Sequence, residues 1–132
     1  MEQNSKLDEI GIGTKEKPKL QPASVTIQGN KITPFEKQGK VVGRRVSFMC
    51  KHPEKQEQIE ISSVEYVKDA GGKKTIRNSA LWLNQDEEGN IQMGSPLALL
   101  LAFAGSKTIK GMDSKVLPTV LDASGYLCLK AY

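Results

Sequence analysis

From Ala23 onward, apolar and polar residues alternate in short runs, the period-two signature of half-buried strands. In Ser24–Gln28, Val25 and Ile27 fall on one face, and Gly29–Asn30 reads as the end of that strand. Lys40–Lys51 carries the clearest pattern: Val46, Phe48 and Cys50 share a face, while Arg45, Ser47 and Lys51 point the other way. Val41 has the opposite parity and Gly43 lies between, which predicts a bulge or sharp bend. Gln58–Lys68 also changes phase. Ile59 and Ile61 share one parity, Val64 and Tyr66 the other, and Ser62–Ser63 marks the switch. Long strands that change phase midway suit a strongly curved sheet. Asp69–Lys74 reads as a hairpin connection, with glycines supplying positive φ angles. Thr75–Asn84 follows as a fourth strand, with Ile76, Ala80 and Trp82 on one face and Asn78 interrupting it.

The period then lengthens. Ser95 is placed as an N-cap, Pro96 as the first helical residue and Gly105 as the stop, which predicts a helix over 96–104. Leu97, Leu99, Leu100, Leu101 and Phe103 surround nearly its whole circumference, so it is either buried or covered by a partner. Ser106–Lys115 reads as a short turn. Lys115–Leu121, the turn Asp122–Gly125 and the strand Tyr126–Tyr132 close the chain. Residues 1–22 are polar, with Pro18 and Pro22, and read as a flexible N-terminal tail. Within it Glu9–Gly13 has the pattern of an edge strand, but not of a phosphate-binding glycine loop.

The reading is therefore a mainly β (α+β) protein. About six strands form a small curved sheet or barrel with one buried helix near 96–104, in one β-rich domain spanning 23–132. This plan resembles an OB-type barrel in its size, its bulged early strands and its single helix before the final strands. It departs from that plan in placing four strands before the helix, where an OB-type barrel has three. No family motif accompanies the likeness, so no functional residue is carried over from it.

Length and composition add bounds. A chain of 132 residues argues for one domain that needs no covalent staples. Its two cysteines, Cys50 and Cys128, are not in a CxxC pair and alternate with apolar neighbours, so they read as buried free thiols. The longest apolar run, Leu97–Ala104, is well short of the roughly 18 to 20 residues of a membrane span. No basic-then-apolar leader pattern opens the sequence, and a cytoplasmic, intracellular location without membrane contact is the expectation. The net charge is +4 and it is unevenly spread. Residues 31–77 hold eleven basic and six acidic side chains, whereas residues 78–132 hold four basic and five acidic. That asymmetry points to a polyanionic partner, and is weighed against a merely solvated basic face.

Three constellations could carry chemistry. Asn84–Ser95 lays Asn84, Asp86 and Glu88 on the first ligand positions of a calcium loop, but Ser95 stands where a bidentate carboxylate is required. It reads better as a polar turn, with Gly89–Asn90 in left-handed angles. His52 shares strand parity with Cys50, and Cys128 would complete three zinc ligands. Its position beside Pro53 reads instead as an exposed turn histidine. Asp113, Asp122, Glu60 and Glu65 have no spacing that pairs them, and no hydrolase or phosphate-loop motif is present. The reading therefore favours a non-enzymatic protein with no cofactor, no metal and no catalytic residue. What remains is basic residues interleaved with aromatics: Arg44, Arg45 and Lys51 around Phe48, and Lys73, Lys74 and Arg77 between Tyr66 and Trp82. Single-stranded nucleic acid needs cations along a groove and rings for its bases. Phe48 and Phe103 are assigned to the core, while Tyr66 and Trp82, both amphipathic, stand either in the core or on the ligand surface. The leading expectation is a domain that binds single-stranded DNA or RNA. The alternative is a protein-interaction or accessory subunit that uses the apolar helix 96–104 as a homodimer or partner surface.

Overall fold

The computed structural model describes residues 7–14 and 20–132, so the reading of 1–22 as a tail falls partly outside the described residues. Eight strands form two four-stranded sheets. They are β1 (Val25–Lys37), β2 (Lys40–Lys51), β3 (Ile59–Ile61), β4 (Ser63–Ala70), β5 (Lys73–Ala80), β6 (Val116–Leu117), β7 (Thr119–Leu121) and β8 (Leu127–Lys130). The first sheet runs β3-β2-β1-β6 and curls into a half-barrel; the second runs β5-β4-β8-β7. One helix, α1 (Pro96–Ala104), and a 3-10 turn, Lys110–Met112, lie between β5 and β6. Among the described residues the chain is thus mostly β and barrel-like, with a single α-helix, as its patterning predicts.

The sheets are joined by strands that cross from one to the other. β3 pairs with β2 while β4, one residue later, pairs with β5, so the chain switches sheets at Ser62. This is where the phase of the apolar residues changes. β6 and β7 do the same across Pro118. The six strand segments legible in the sequence are therefore eight strands, because two of them are folded over a corner.

β1 corrects the sequence reading. It does not stop at Gly29–Asn30 but continues to Lys37. The register slips between Ile27 and Gly29, leaving Gln28 unopposed, and the strand resumes against β2. Pro34, which lacks an N–H, is tolerated because β1 has a second neighbour only at Val25 and Thr26. A second slip falls between the pairs Phe35–Gly43 and Glu36–Val41, which makes Val42 the bulged residue beside the glycine that predicts it.

The core gathers Val25 and Ile27 from β1, Val46, Phe48 and Cys50 from β2, Ile61, Val64, Leu81, Met112, Leu117 and Leu129. Each fully buried aliphatic or aromatic side chain contributes about 1.5–3 kcal/mol. From the fourth strand segment it is Leu81, not Trp82, that is buried. The chain turns sharply there, with the Trp82 N–H donating to the Ala80 carbonyl at 3.1 Å, and this inverts the parity read from Thr75–Asn84.

α1 is capped as predicted. The Ser95 Oγ accepts from the Ala98 N–H at 3.3 Å, and Gly105 adopts φ 75°. The N–H groups of Gly105 and Ser106 then satisfy the carbonyls of Ala102 and Leu101. Leu97, Leu100 and Leu101 are buried. Phe103 corrects the sequence reading: it is 43% exposed, on the outer side of a helix that packs on the domain with one side only.

Candidate functional site

The outer end of the β1–β2 ribbon carries the most concentrated chemistry. Beyond β5 the chain leaves the second sheet and lies along β2. The Val46 N–H donates to the Leu81 carbonyl and the Leu83 N–H to the Arg44 carbonyl, both at 2.8 Å, and Trp82 stands opposite Arg45. Residues paired across strands share a face, so Trp82, Arg45 and Thr33 form one row, with Phe35 and Gly43 in the next. The indole lies over Gly43, with Cε3 and Cζ3 3.5 Å from where a Cβ would stand, an ordinary contact distance. The Phe35 ring meets it edge-on at 5.5 Å between centroids, 89° between planes. The Arg45 guanidinium carbon sits 4.7 Å from the indole centroid, a cation–π contact that contributes about 0.5–2 kcal/mol. This packing also covers Arg45 Nε, which has no hydrogen-bond partner. Phe35, Lys37, Val42, Arg44 and Trp82 surround a surface hollow of about 530 Å³. Trp82 is half-buried, and Phe35 is 48% exposed.

The eight residues singled out from the sequence divide three ways. Arg45 and Trp82 come together at this face, and Arg44, of opposite strand parity, borders the adjoining hollow. Tyr66, Lys73, Lys74 and Arg77 lie on the β4–β5 hairpin of the second sheet. There Tyr66 packs against the core opposite an exposed Arg77, and Lys73 and Lys74 start β5. Lys51 stands at the far end of β2, its Nζ donating to the His52 carbonyl at 2.7 Å and to the Lys55 carbonyl. Phe35 is the residue the sequence reading missed. Lys31, Thr33, Phe35 and Lys37 alternate in strand fashion, but Gly29–Asn30 and Pro34 hide the period.

His52 is a correction: it is fully buried, not exposed in a turn. Nε2 is 2.8 Å from the Gln21 carbonyl and Nδ1 accepts from the Glu54 N–H at 3.0 Å, so these partners assign the neutral tautomer protonated on Nε2. Both ring nitrogens are spent on backbone. Among the described residues no group of three or more His, Cys, Asp or Glu side chains is arranged to hold a metal ion. In the acidic loop, Asp86 Oδ1 accepts from the N–H groups of Glu88 and Asn90, so the would-be calcium ligand holds a turn. Of the pair Gly89–Asn90 only Gly89 takes the left-handed conformation, at φ 85°.

Both cysteines are free and buried. Burial pushes the Cys50 thiol up from 9.0 to about 12. Burial likewise raises Cys128, opposed by the Asn78 amide N–H that donates to its Sγ. A thiol held protonated by the fold contributes stability that is complete below pH 9.0 and is lost as pH rises toward about 12. The native protein is therefore expected to lose stability in that alkaline window. At pH 8 its thiols should react with a disulfide reagent roughly 100-fold more slowly than in denaturant. Fast native labelling of either cysteine contradicts the buried placement.

No helix among the described residues is long and apolar enough to cross a membrane. The fold and the site thus define a small half-barrel protein with a cation–aromatic face at one ribbon end. No protein-family model matches the chain, and neither a curated protein nor a solved structure is significantly similar to it.

Proposed function

We propose that the chain binds single-stranded nucleic acid at the outer β1–β2 face, without catalysis. The observation that supports this reading is the grouping of Arg44, Lys37, Phe35 and Trp82 around one hollow, with Arg45 stacked on the indole. Cations there contact phosphates, and the half-exposed Phe35 offers a ring on which a base stacks. The proposed surface is narrower than the charge distribution alone implies, because the β4–β5 cations belong to the other sheet.

A labelled oligonucleotide titrated at several salt concentrations tests it. The logarithm of affinity should fall with the logarithm of salt, and Arg44→Ala or Lys37→Ala should each reduce the slope by about 0.7. Phe35→Ala should weaken binding about 5- to 150-fold, the worth of one stacked base. Lys73→Ala with Lys74→Ala should matter much less. Absence of binding at low salt ends the proposal. Binding indifferent to Phe35 and Arg44 reduces it to general attraction.

A second reading is favoured by a separate observation: the outer side of α1 presents Phe103 on a helix without a single charge. That surface suits a protein partner or a second copy.

A further inference from the structure

A cleft of about 630 Å³ lies away from the cation–aromatic face and is unused by the proposed function. It is a wedge between two strands that part company. β4 and β8 pair in parallel at Val64–Leu129 and Glu65–Lys130. Upstream of that point the chain crosses at Ser62 to the other sheet, carrying β3 away from the β7–β8 hairpin. The cavity opens in the gap, lined by Leu20, Ile59, Ile61, Ser124, Tyr126 and Leu127. β3 is the edge of its sheet, and the start of β8 pairs only with β7. The wedge is thus walled by two strand edges whose outward backbone groups have no ladder partner among the described residues.

Three other edges are guarded. The β5 edge carries Lys73, Lys74 and Arg77; the open part of β1 carries Lys31, Pro34, Lys37 and a bulge at Gln28. Charge, proline and bulges are the devices that keep strand edges from pairing. The β7 edge is occupied, because the Thr119 Oγ1 both donates to the Ala23 carbonyl and accepts from its N–H. The β3 edge has neither proline nor bulge and a single charge, Glu60, between two isoleucines.

We infer that this cleft is a strand-acceptor site and that its occupant is Glu9–Gly13 of the same chain, added as a further strand joining the two sheets. Leu20, the first residue described after 14, lines the cleft. Gly13 precedes Leu20 by seven residues, a connection that reaches about 25 Å when extended and leaves room to turn back. In the described structure Leu7–Glu9 form a 3-10 turn that the proposed strand would unwind at Glu9, and Ile10 and Ile12 are 71% and 101% exposed. As a strand, the segment puts both isoleucines on one side, toward the apolar wall of Ile59, Ile61 and Leu127. Gly11 and Gly13 leave bare backbone on the other side, which permits close approach. Insertion closes the half-barrel and removes both open edges at once.

Hydrogen–deuterium exchange on the full chain tests the inference, with Ile10→Asp/Ile12→Asp and Gly11→Pro as variants. The first removes the apolar face of the segment, and the second removes a ladder N–H. Both lie in an exposed segment, so exchange at Val46–Cys50 should be unchanged and serves as the control for folding. Amides in 59–63 and 124–127 are expected to exchange at least about tenfold faster in each variant than in the unaltered chain, at every protein concentration. Equal exchange in all three proteins overturns the proposal. Protection that grows with protein concentration also overturns it, because the occupant is then a second copy.

Discussion

Leu100→Asp is expected to leave the chain unfolded, with loss of far-ultraviolet dichroism and of any cooperative thermal transition. Leu100 is fully buried on the inner side of α1. Removing a buried leucine side chain costs about 2–5 kcal/mol. An uncompensated buried carboxylate adds several more, against a total stability of about 5–15 kcal/mol for domains of this size. Phe103→Asp, three residues along the same helix, is expected to cost about 1 kcal/mol or less and to keep the native dichroism, because Phe103 is 43% exposed. The contrast decides which side of α1 faces the domain. It also supplies the right probe for a partner surface: sedimentation of Phe103→Asp, which stays folded, reports on association, whereas Leu100→Asp reports only on folding. A native Leu100→Asp protein would show that α1 is not docked as described.

His52→Ala is the second large effect, expected to lower stability by about 2–4 kcal/mol in a denaturant titration. The ring fills a fully buried site and satisfies the Gln21 carbonyl and the Glu54 N–H together. Leaving a buried donor or acceptor unpaired costs about 1–3 kcal/mol, and the vacated volume adds to that. His52→Asn is expected to recover about half, because its Oδ1 can replace Nδ1 as acceptor for Glu54 but cannot reach Gln21. If His52→Ala is as stable as the parent protein, the clasp between the end of β2 and the start of the domain contributes nothing.

Features that depend on near neighbours were legible in the sequence. The shared face of Val46, Phe48 and Cys50, the bulge beside Gly43, the corner at Ser62 and the caps of α1 all follow from local pattern. What was hidden depends on contacts made far along the chain. The continuation of β1 past Gly29 and Pro34 is enforced by β2, against local turn chemistry, and Phe35 was lost from the candidate site with it. His52 looks like a turn residue because its environment is made by Gln21, 31 residues earlier. Strand parity told which residues share a face with Arg44 and which with Arg77, but not that the two faces belong to different sheets. In α1 a uniformly apolar circumference carried no mark of the side that meets the domain, so Leu100 and Phe103 were indistinguishable.

The first strand of the half-barrel waits longest for its neighbour. Val25 is matched with Leu117, which the ribosome delivers 92 residues later. At about 5–20 residues per second that is a delay of several seconds, during which Ile27 and its companions have only the β2 side to rest on. Closure must therefore wait until β6 has been made. With so much pairing between distant parts of the chain, it belongs to the millisecond-to-second regime of slow β-rich folders. A nascent chain arrested before β6 is the species most exposed to aggregation.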